Sequence, residues 1–157
     1  MNKLKNPYTS REGYNCFGCC PTNPQGLQME FQKIGDLIVS YWTPKDAFQG
    51  WTNILHGGIQ ATLMDEIGSW FAIVTAQTSG VTTHLNVKYR KAVAMDKGPI
   101  KLEASLHEFH GRIMVVQVKL YDGAGTLCSE AQASYYMMDP DKARDQFEFP
   151  GINAFLE

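Results

Sequence analysis

The sequence lacks a strong net charge, internal repeats and low-complexity tracts. Its formal charge is −2 at pH 7 over 157 residues, so the overall charge does not attract the chain to nucleic acid or to an acidic membrane. Residues 1–14 contain charges but no apolar stretch, and we expect neither a signal peptide nor a membrane anchor there. These absences favour a cytoplasmic protein with no nucleic-acid or membrane partner.

Cysteine is scarce. There are four cysteines, and three of them, Cys16, Cys19 and Cys20, stand close together. So few thiols are compatible with a reducing compartment. Cys16 and Cys19 form a Cys-x-x-Cys pair, which can hold half of a zinc site, but the sequence has no second pair at a suitable spacing. A zinc site and a redox dithiol remain alternatives. We predict ordinary thiols in a loop, no metal and no other cofactor.

The composition predicts one globular domain. A hydrophobic content of 44% over 157 residues is enough to bury a core without disulfides or metal. We divide the chain into an extended N-terminal arm at 1–25, a folded domain at 26–138 and a C-terminal tail at 139–157. The arm is expected to pack on the domain without adding a regular element, and the apolar end of the tail either docks or frays.

One segment alone has apolar residues at helical spacing, and it predicts a helix from Gly57 to Ala76. One arc of this helix is a predicted core face and consists of Ile59, Leu63, Ile67, Trp70, Ile73 and Val74. The opposite arc consists of small residues and one carboxylate, namely Ala61, Thr62, Asp65, Gly68, Ser69 and Ala72. Small side chains let another backbone approach. We therefore expect Asp65 to lie against a neighbouring element or a second subunit.

The predicted helix begins at Gly57 and Gly58. Its first N–H groups lack partners within the helix and carry the positive end of the helix dipole, and a ligand oxygen can approach them because glycine has no side chain. A polarising donor and a carboxylate two turns later form a plausible catalytic pair. The alternatives are a tight loop entry for the glycines and a solvated side chain for Asp65.

The rest of the chain predicts strands, because apolar and polar residues alternate. The predicted strands cover residues 27–32, 37–42, 81–90, 100–109, 112–121 and 126–138. Two strands, one long helix and four strands fit an α+β fold in which an antiparallel sheet of about six strands wraps around one central helix.

The helix also carries a recognisable motif. The sequence His56-Gly57-Gly58, followed by aliphatic and small residues and then Leu63-Met64-Asp65-Glu66, resembles the signature of PaaI-like hotdog-fold acyl-CoA thioesterases. The resemblance extends over about residues 26–138 and implies the hotdog fold and hydrolysis of a coenzyme A thioester to a free acid and coenzyme A. The segment from Cys16 to Leu27 also resembles the lead-in of a subset of these proteins.

The resemblance assigns roles to residues of this motif. It implies that the Gly57 N–H polarises the thioester carbonyl and that Asp65 is the general base or nucleophile. Ser69 matches a hydroxyl that some relatives use to hold water. Relatives often carry Asn or Gln about six residues before the His, where this chain has Gln49, with Asn53 displaced toward the motif. Either side chain is a candidate to orient the thioester.

Further candidates come from the residues themselves. Phe48 and Trp51 precede the helix, where they either line an acyl channel or close the domain edge. Cations suited to coenzyme A phosphates cluster at Lys88, Arg90 and Lys91, with Arg112 as a further candidate, although a solvated strand face is the alternative. His56 either caps the helix or acts as a base. Glu66 is the rival acid, and we expect it to pair with a basic strand residue or to reach the cleft.

A single copy of this fold leaves a strand edge uncovered. We therefore expect a homodimer with the active site between subunits, and the resemblance implies that such dimers can pair into a homotetramer. The alternative function is a non-catalytic acyl-CoA binding or regulatory hotdog protein. A hotdog dehydratase is disfavoured because no histidine follows Asp65 before His84.

Overall fold

The computed structural model describes residues 2–156 and contains one antiparallel sheet, one long helix and a shorter C-terminal helix. The elements in chain order are β1 (Asn2–Lys3), β2 (Gln32–Ile34), β3 (Leu37–Trp42), α1 (Gly57–Ala76), β4 (Gly80–Tyr89), β5 (Ile100–His110), β6 (Ile113–Tyr121), β7 (Leu127–Met137) and α2 (Pro140–Phe147). The bounds of α1 and β3 are those predicted, and β4 to β7 differ from the prediction by one residue at most at each end.

The sheet has seven strands in the order β1-β2-β3-β5-β6-β7-β4, and every pair is antiparallel. Strands β3 to β7 all contact α1. The predicted α+β hotdog architecture is therefore confirmed, with seven strands in place of about six. Strand β4 follows the helix along the chain but, among residues 2–156, pairs only with β7, so it forms one edge of the sheet.

The helix buries more of its circumference than the predicted arc. Leu63, Ile67 and Trp70 are buried as expected, whereas Ile59 and Ile73 are only partly buried. Gly68 and Ala72, which were placed on the opposite arc of small residues, are buried as well. The reason is the curl of the sheet: β7 brings Tyr135 so close to Gly68 that a Cβ there would overlap the Tyr135 hydroxyl.

The predicted strand at residues 27–32 is wrong, because the second strand begins only at Gln32. Leu27, Met29 and Phe31 are buried, as their alternation indicated. The backbone of Gln28, however, has a φ of 54°, which a strand cannot contain. The N–H groups of Leu27 and Met29 donate to carbonyls of residues 17 and 18 in the N-terminal loop. This stretch therefore pairs with the loop and not with a neighbouring strand.

Both ends of the chain pack on the domain. Asn2 and Lys3 form β1, which pairs with β2. The expectation that the arm adds no regular element is therefore wrong. In the tail, Asp139 caps α2 by accepting a hydrogen bond from the N–H of Asp141. Phe155 is buried, with its ring 5.6 Å from that of Trp70. The apolar end of the tail thus docks. Between residues 2 and 156, no helix is both long and apolar enough to cross a membrane.

Candidate active site

The head of α1 opens into a cavity of about 800 Å³. Its lining combines residues from the loop before the helix, the helix itself and the segment after β4: Gly50, Trp51, Ile54, Leu55, His56, Gly57, Gln60, Tyr89, Arg90, Lys91 and Ala92. Five predicted site residues, namely Trp51, His56, Gly57, Arg90 and Lys91, meet here. A volume of this size lies within the range of ligand pockets.

Gly57 presents its backbone to this cavity. It is the first residue of α1, and its N–H has no acceptor in the described part of the chain. The hydroxyl of Tyr89 donates to the carbonyl of Gly57 at 2.6 Å, which ties the helix start to the end of β4. A free N–H at the positive end of a helix dipole can stabilise an oxyanion. Gly57 therefore lies at the wall of the cavity, and its role as the polarising donor stays a prediction.

The neighbouring N–H belongs to the helix cap. His56 Nδ1 accepts a hydrogen bond from the N–H of Gly58 at 2.9 Å. His56 is thus the N-cap of α1, which is the capping alternative considered for it. The N–H of Gly58 is thus engaged, whereas that of Gly57 has no acceptor among the described residues.

Asp65 lies on the same helix but not at the same cavity. Its Oδ1 accepts hydrogen bonds from Thr82 Oγ1 at 2.9 Å and from the Tyr135 hydroxyl at 3.2 Å. Asp65 is partly exposed and, among residues 2–156, is not one of those that line the cavity. A helix rises about 1.5 Å per residue, so eight residues separate Gly57 from Asp65 by about 12 Å along the axis. Within one chain, the two groups cannot reach the same carbonyl.

The loop residues and Ser69 take different positions. Trp51 lines the cavity and is 86% exposed. Phe48 instead packs near Trp42 and borders a smaller depression on the other side of the helix start. The N–H of Asn53 donates to Gln49 Oε1 at 3.1 Å, so these two thioester-orienting candidates interact with each other. Ser69 lies one turn beyond Asp65 and is partly buried.

Residues 52–129 match the family model of the thioesterase superfamily. The chain belongs to this superfamily. The matched region begins before α1 and ends in β7, so it includes Gly57, Asp65 and the basic residues after β4.

Named relatives of this thioesterase-superfamily chain agree with the assignment. Protein SSO1253 of Saccharolobus solfataricus, named as an esterase, is 33% identical over 84 residues, which are 52% of this chain and 54% of the relative. Acyl-coenzyme A thioesterase THEM4 of mouse is 27% identical over 115 residues, which are 73% of this chain and 49% of the relative. This chain thus spans about half the length of these two relatives.

A solved structure has the same architecture. The protein BH2602 from Bacillus halodurans, crystallised with CoA, superposes with a TM-score of 0.62 at 26% identity, over 72% of this chain and 76% of that chain.

The basic cluster of the thioesterase-superfamily domain is divided by the fold. Arg90 and Lys91 follow the end of β4 and line the cavity, whereas Lys88 is still on the strand and lies in a separate groove. Arg90 forms an ion pair with Glu130 at 2.9 Å. Arg112 forms one with Asp139 at 3.5 Å and does not line the cavity, so the structure does not bring it together with Arg90 and Lys91.

Among the described residues, Glu66 neither pairs with a basic strand residue nor reaches the cavity, which were the two expectations for it. It lies beneath the N-terminal loop, where Trp70 Nε1 donates to its Oε1 at 3.2 Å and Cys16 Sγ is 3.8 Å away. Burial, reinforced by the nearby Cys16, raises the pKa of this carboxyl to about 7. Like Asp65, Glu66 is not one of the described residues that line the cavity at Gly57.

Several residues of the site were missed by sequence reasoning. The hydroxyl of Tyr135 donates both to the backbone carbonyl of Asp65 at 2.8 Å and to its carboxylate, and burial raises the pKa of this phenol. Gln60 is buried at the cavity wall between Leu55 and Ser129. Gln60 was the detectable signal, because it is an amide among the buried, mainly apolar residues of the helix. Nothing local marked Tyr135, Tyr89 or Thr82, which are ordinary strand residues.

Proposed function

We propose that this chain is a PaaI-like acyl-coenzyme A thioesterase, which hydrolyses a coenzyme A thioester to a free acid and coenzyme A. The unpartnered N–H of Gly57 carries the proposal, because it lies at the wall of a ligand-sized cavity that also has two cationic residues, Arg90 and Lys91. Membership of the thioesterase superfamily and the similarity to a mouse acyl-CoA thioesterase support it.

In the proposed reaction, the thioester carbonyl oxygen accepts a hydrogen bond from the Gly57 N–H and becomes an oxyanion as the carbonyl carbon is attacked. The Asp65 carboxylate takes a proton from the attacking water; direct attack by the carboxylate is the alternative. The tetrahedral intermediate then expels the coenzyme A thiolate, which takes the proton that Asp65 removed from water and so restores the carboxylate. The second oxygen of the product acid comes from water.

The separation of Gly57 and Asp65 along α1 supports a site that two copies of the chain share. The ten residues of β4 pair on one side only, and Thr82 of this strand hydrogen bonds to Asp65. A long unpaired edge is usually covered in a native protein. We propose that a second copy covers it and brings its own Gly57 to Asp65. A homodimer is thus the proposed unit, and a dimer of dimers and a cytoplasmic location stay predictions.

An assay of thiol release tests the function directly. Full-length protein is incubated with short, medium, long and aromatic acyl-coenzyme A esters, and free coenzyme A is measured with a thiol reagent. Turnover of at least one class is expected. Tight binding of these esters with no release above the rate in buffer would instead identify a non-catalytic acyl-CoA binding protein.

Two inactive variants should restore activity when they share a dimer. If each site takes Gly57 from one chain and Asp65 from the other, a mixed dimer of Asp65→Asn and Gly57→Pro has one site with both changes and one with neither. Co-expression at equal levels makes about half of the dimers mixed, and once these are isolated about half of their sites are intact. The recovered activity, measured after tandem-tag purification of mixed dimers, should exceed that of either variant alone. No recovery would contradict the shared site.

Charge reversal at Arg90 should weaken binding of the coenzyme A moiety. A charge-assisted hydrogen bond contributes about 1.5–3 kcal/mol, so Arg90→Glu should raise KM for a coenzyme A ester about tenfold or more. KM for a short thioester without a nucleotide should not change. Arg112→Glu is the matched control, because Arg112 is also an exposed arginine in an ion pair but lies away from the cavity. Equal effects of Arg90→Glu on both substrates would argue against the phosphate contact.

A further inference from the structure

The N-terminal loop lies against α1 at Glu66, and there it forms a cluster of three metal-ligand side chains. Sγ of Cys16, Sγ of Cys19 and a carboxylate oxygen of Glu66 all lie within 4.8 Å of one another. Cys19 is buried, and Cys16 and Glu66 are partly buried. The sequence showed only half of such a site, because Glu66 follows Cys16 by 50 residues.

The surroundings of Glu66 disfavour the charged form of its carboxyl group, which raises its pKa. Its side chain is largely enclosed, and within residues 2–156 no lysine, arginine or histidine forms an ion pair with it. A buried carboxylate without a cation is unfavourable. The backbone of Gly18 nevertheless lies so close to Glu66 that a Cβ at Gly18 would overlap the Glu66 carboxyl group. The chain thus brings two thiols to an unpaired acid.

Other groups hold these three side chains in place. The Tyr14 hydroxyl lies 3.1 Å from Cys19 Sγ, and Asn6 Nδ2 lies 3.6 Å from the same sulfur. Trp70 Nε1 donates to Glu66 Oε1. Metal-binding cysteines and carboxylates typically have hydrogen-bond donors around them, which orient the ligands. Here Cys19 and Glu66 each have such a donor.

We propose that Cys16, Cys19 and Glu66 bind one Zn²⁺ ion, which fastens the N-terminal loop to the helix that carries Asp65. Two cysteine sulfurs favour zinc over magnesium or calcium, which prefer oxygen ligands. With Zn–S bonds of about 2.3 Å, tetrahedral ligand atoms are about 3.5–4 Å apart, and Cys16 Sγ and Glu66 Oε1 are 3.8 Å apart. Of the three ligands, Cys19 also lines a cavity of about 400 Å³.

A disulfide between Cys16 and Cys19 would explain the two neighbouring thiols but not the position of Glu66. It would satisfy the two sulfurs but would leave the Glu66 carboxylate without a cation. A Zn²⁺ ion would bind all three anionic ligands, and its two positive charges offset two of their three negative charges. The carboxylate therefore distinguishes a metal site from a redox pair.

The metal content of the full-length protein tests the site. Protein reduced under argon, incubated with ZnCl₂ and desalted should retain one zinc per chain by mass spectrometry of the elements. Cys16→Ser, Cys19→Ser and Glu66→Gln should each lose stoichiometric zinc. Cys20→Ser and Cys128→Ser are the controls and should retain it, because neither sulfur belongs to the cluster. Tyr14→Phe should keep the ligands but weaken zinc affinity by about tenfold or more.

A second measurement needs no variant. In the wild-type protein loaded with Co²⁺, a thiolate-to-cobalt charge-transfer absorption should appear and should disappear on titration with Zn²⁺. Fully reduced wild-type protein that retains no zinc would overturn the proposal, whether or not the two thiols oxidise in air. Folded Cys16→Ser/Cys19→Ser protein with unchanged zinc content would overturn it as well.

Discussion

Replacement of Asp65 by asparagine should lower kcat for an acyl-coenzyme A ester by about 10³-fold, since a positioned general base contributes about 10²–10⁴-fold. Asparagine has nearly the same shape, and its amide oxygen can still accept the hydrogen bonds from Thr82 and Tyr135 that hold Asp65. The variant loses only the negative charge that takes the proton from water. KM and the thermal unfolding midpoint should therefore stay close to those of the wild type.

The matched control for this experiment is Asp36→Asn. Asp36 is an exposed acid in the turn between β2 and β3, so its neutralisation changes the net charge by the same amount away from the site. Its kcat should equal that of the wild type. If Asp65→Asn turned over at the wild-type rate, Asp65 would be neither base nor nucleophile, and the proposed mechanism would fail.

Replacement of Gly57 by proline should lower kcat by about 10²–10³-fold, which is the usual cost of losing one oxyanion donor. Proline has no N–H, and it is well tolerated as the first residue of a helix. His56 already has an extended backbone, with φ −58° and ψ 133°, which suits a residue before proline. The helix should therefore persist while the donor is lost, and circular dichroism with steady-state kinetics measures both effects.

Gly57→Ala separates the donor from the added bulk. Alanine keeps the N–H, and its Cβ would meet the Tyr89 ring at 3.5 Å, which is an ordinary contact. Most of the wild-type kcat should remain. Equal losses in the alanine and proline variants would mean that the space at Gly57 matters and that its N–H does not.

Much of the fold followed from local pattern. The helical spacing of Leu63, Ile67 and Trp70 predicted the bounds of α1, and alternation predicted β3 and β4 to β7 closely. The exception was residues 27–31, where alternating burial occurs without a strand. Periodicity reports which side chains are buried, but it does not report which backbone the N–H groups bond to.

The sequence indicated individual candidate residues of the site better than it indicated which residues come together. The positions of Gly57 and Asp65 follow from the motif and the helix, and Trp51, Arg90 and Lys91 do line the cavity. The clusters that depend on distant segments were missed. No local signal indicated that Tyr135 holds Asp65.

The sequence by itself determined the long helix, the antiparallel strands around it, and the order of a glycine donor and a carboxylate along one helix. Those features depend on hydrogen bonds and side-chain spacing among near neighbours in the chain. The tertiary structure alone decided that Glu66 faces Cys16 and Cys19, that Lys88 separates from Arg90, and that Arg112 pairs with Asp139. These contacts join residues far apart in sequence, and they form only when the sheet curls around the helix and the two ends of the chain pack on it.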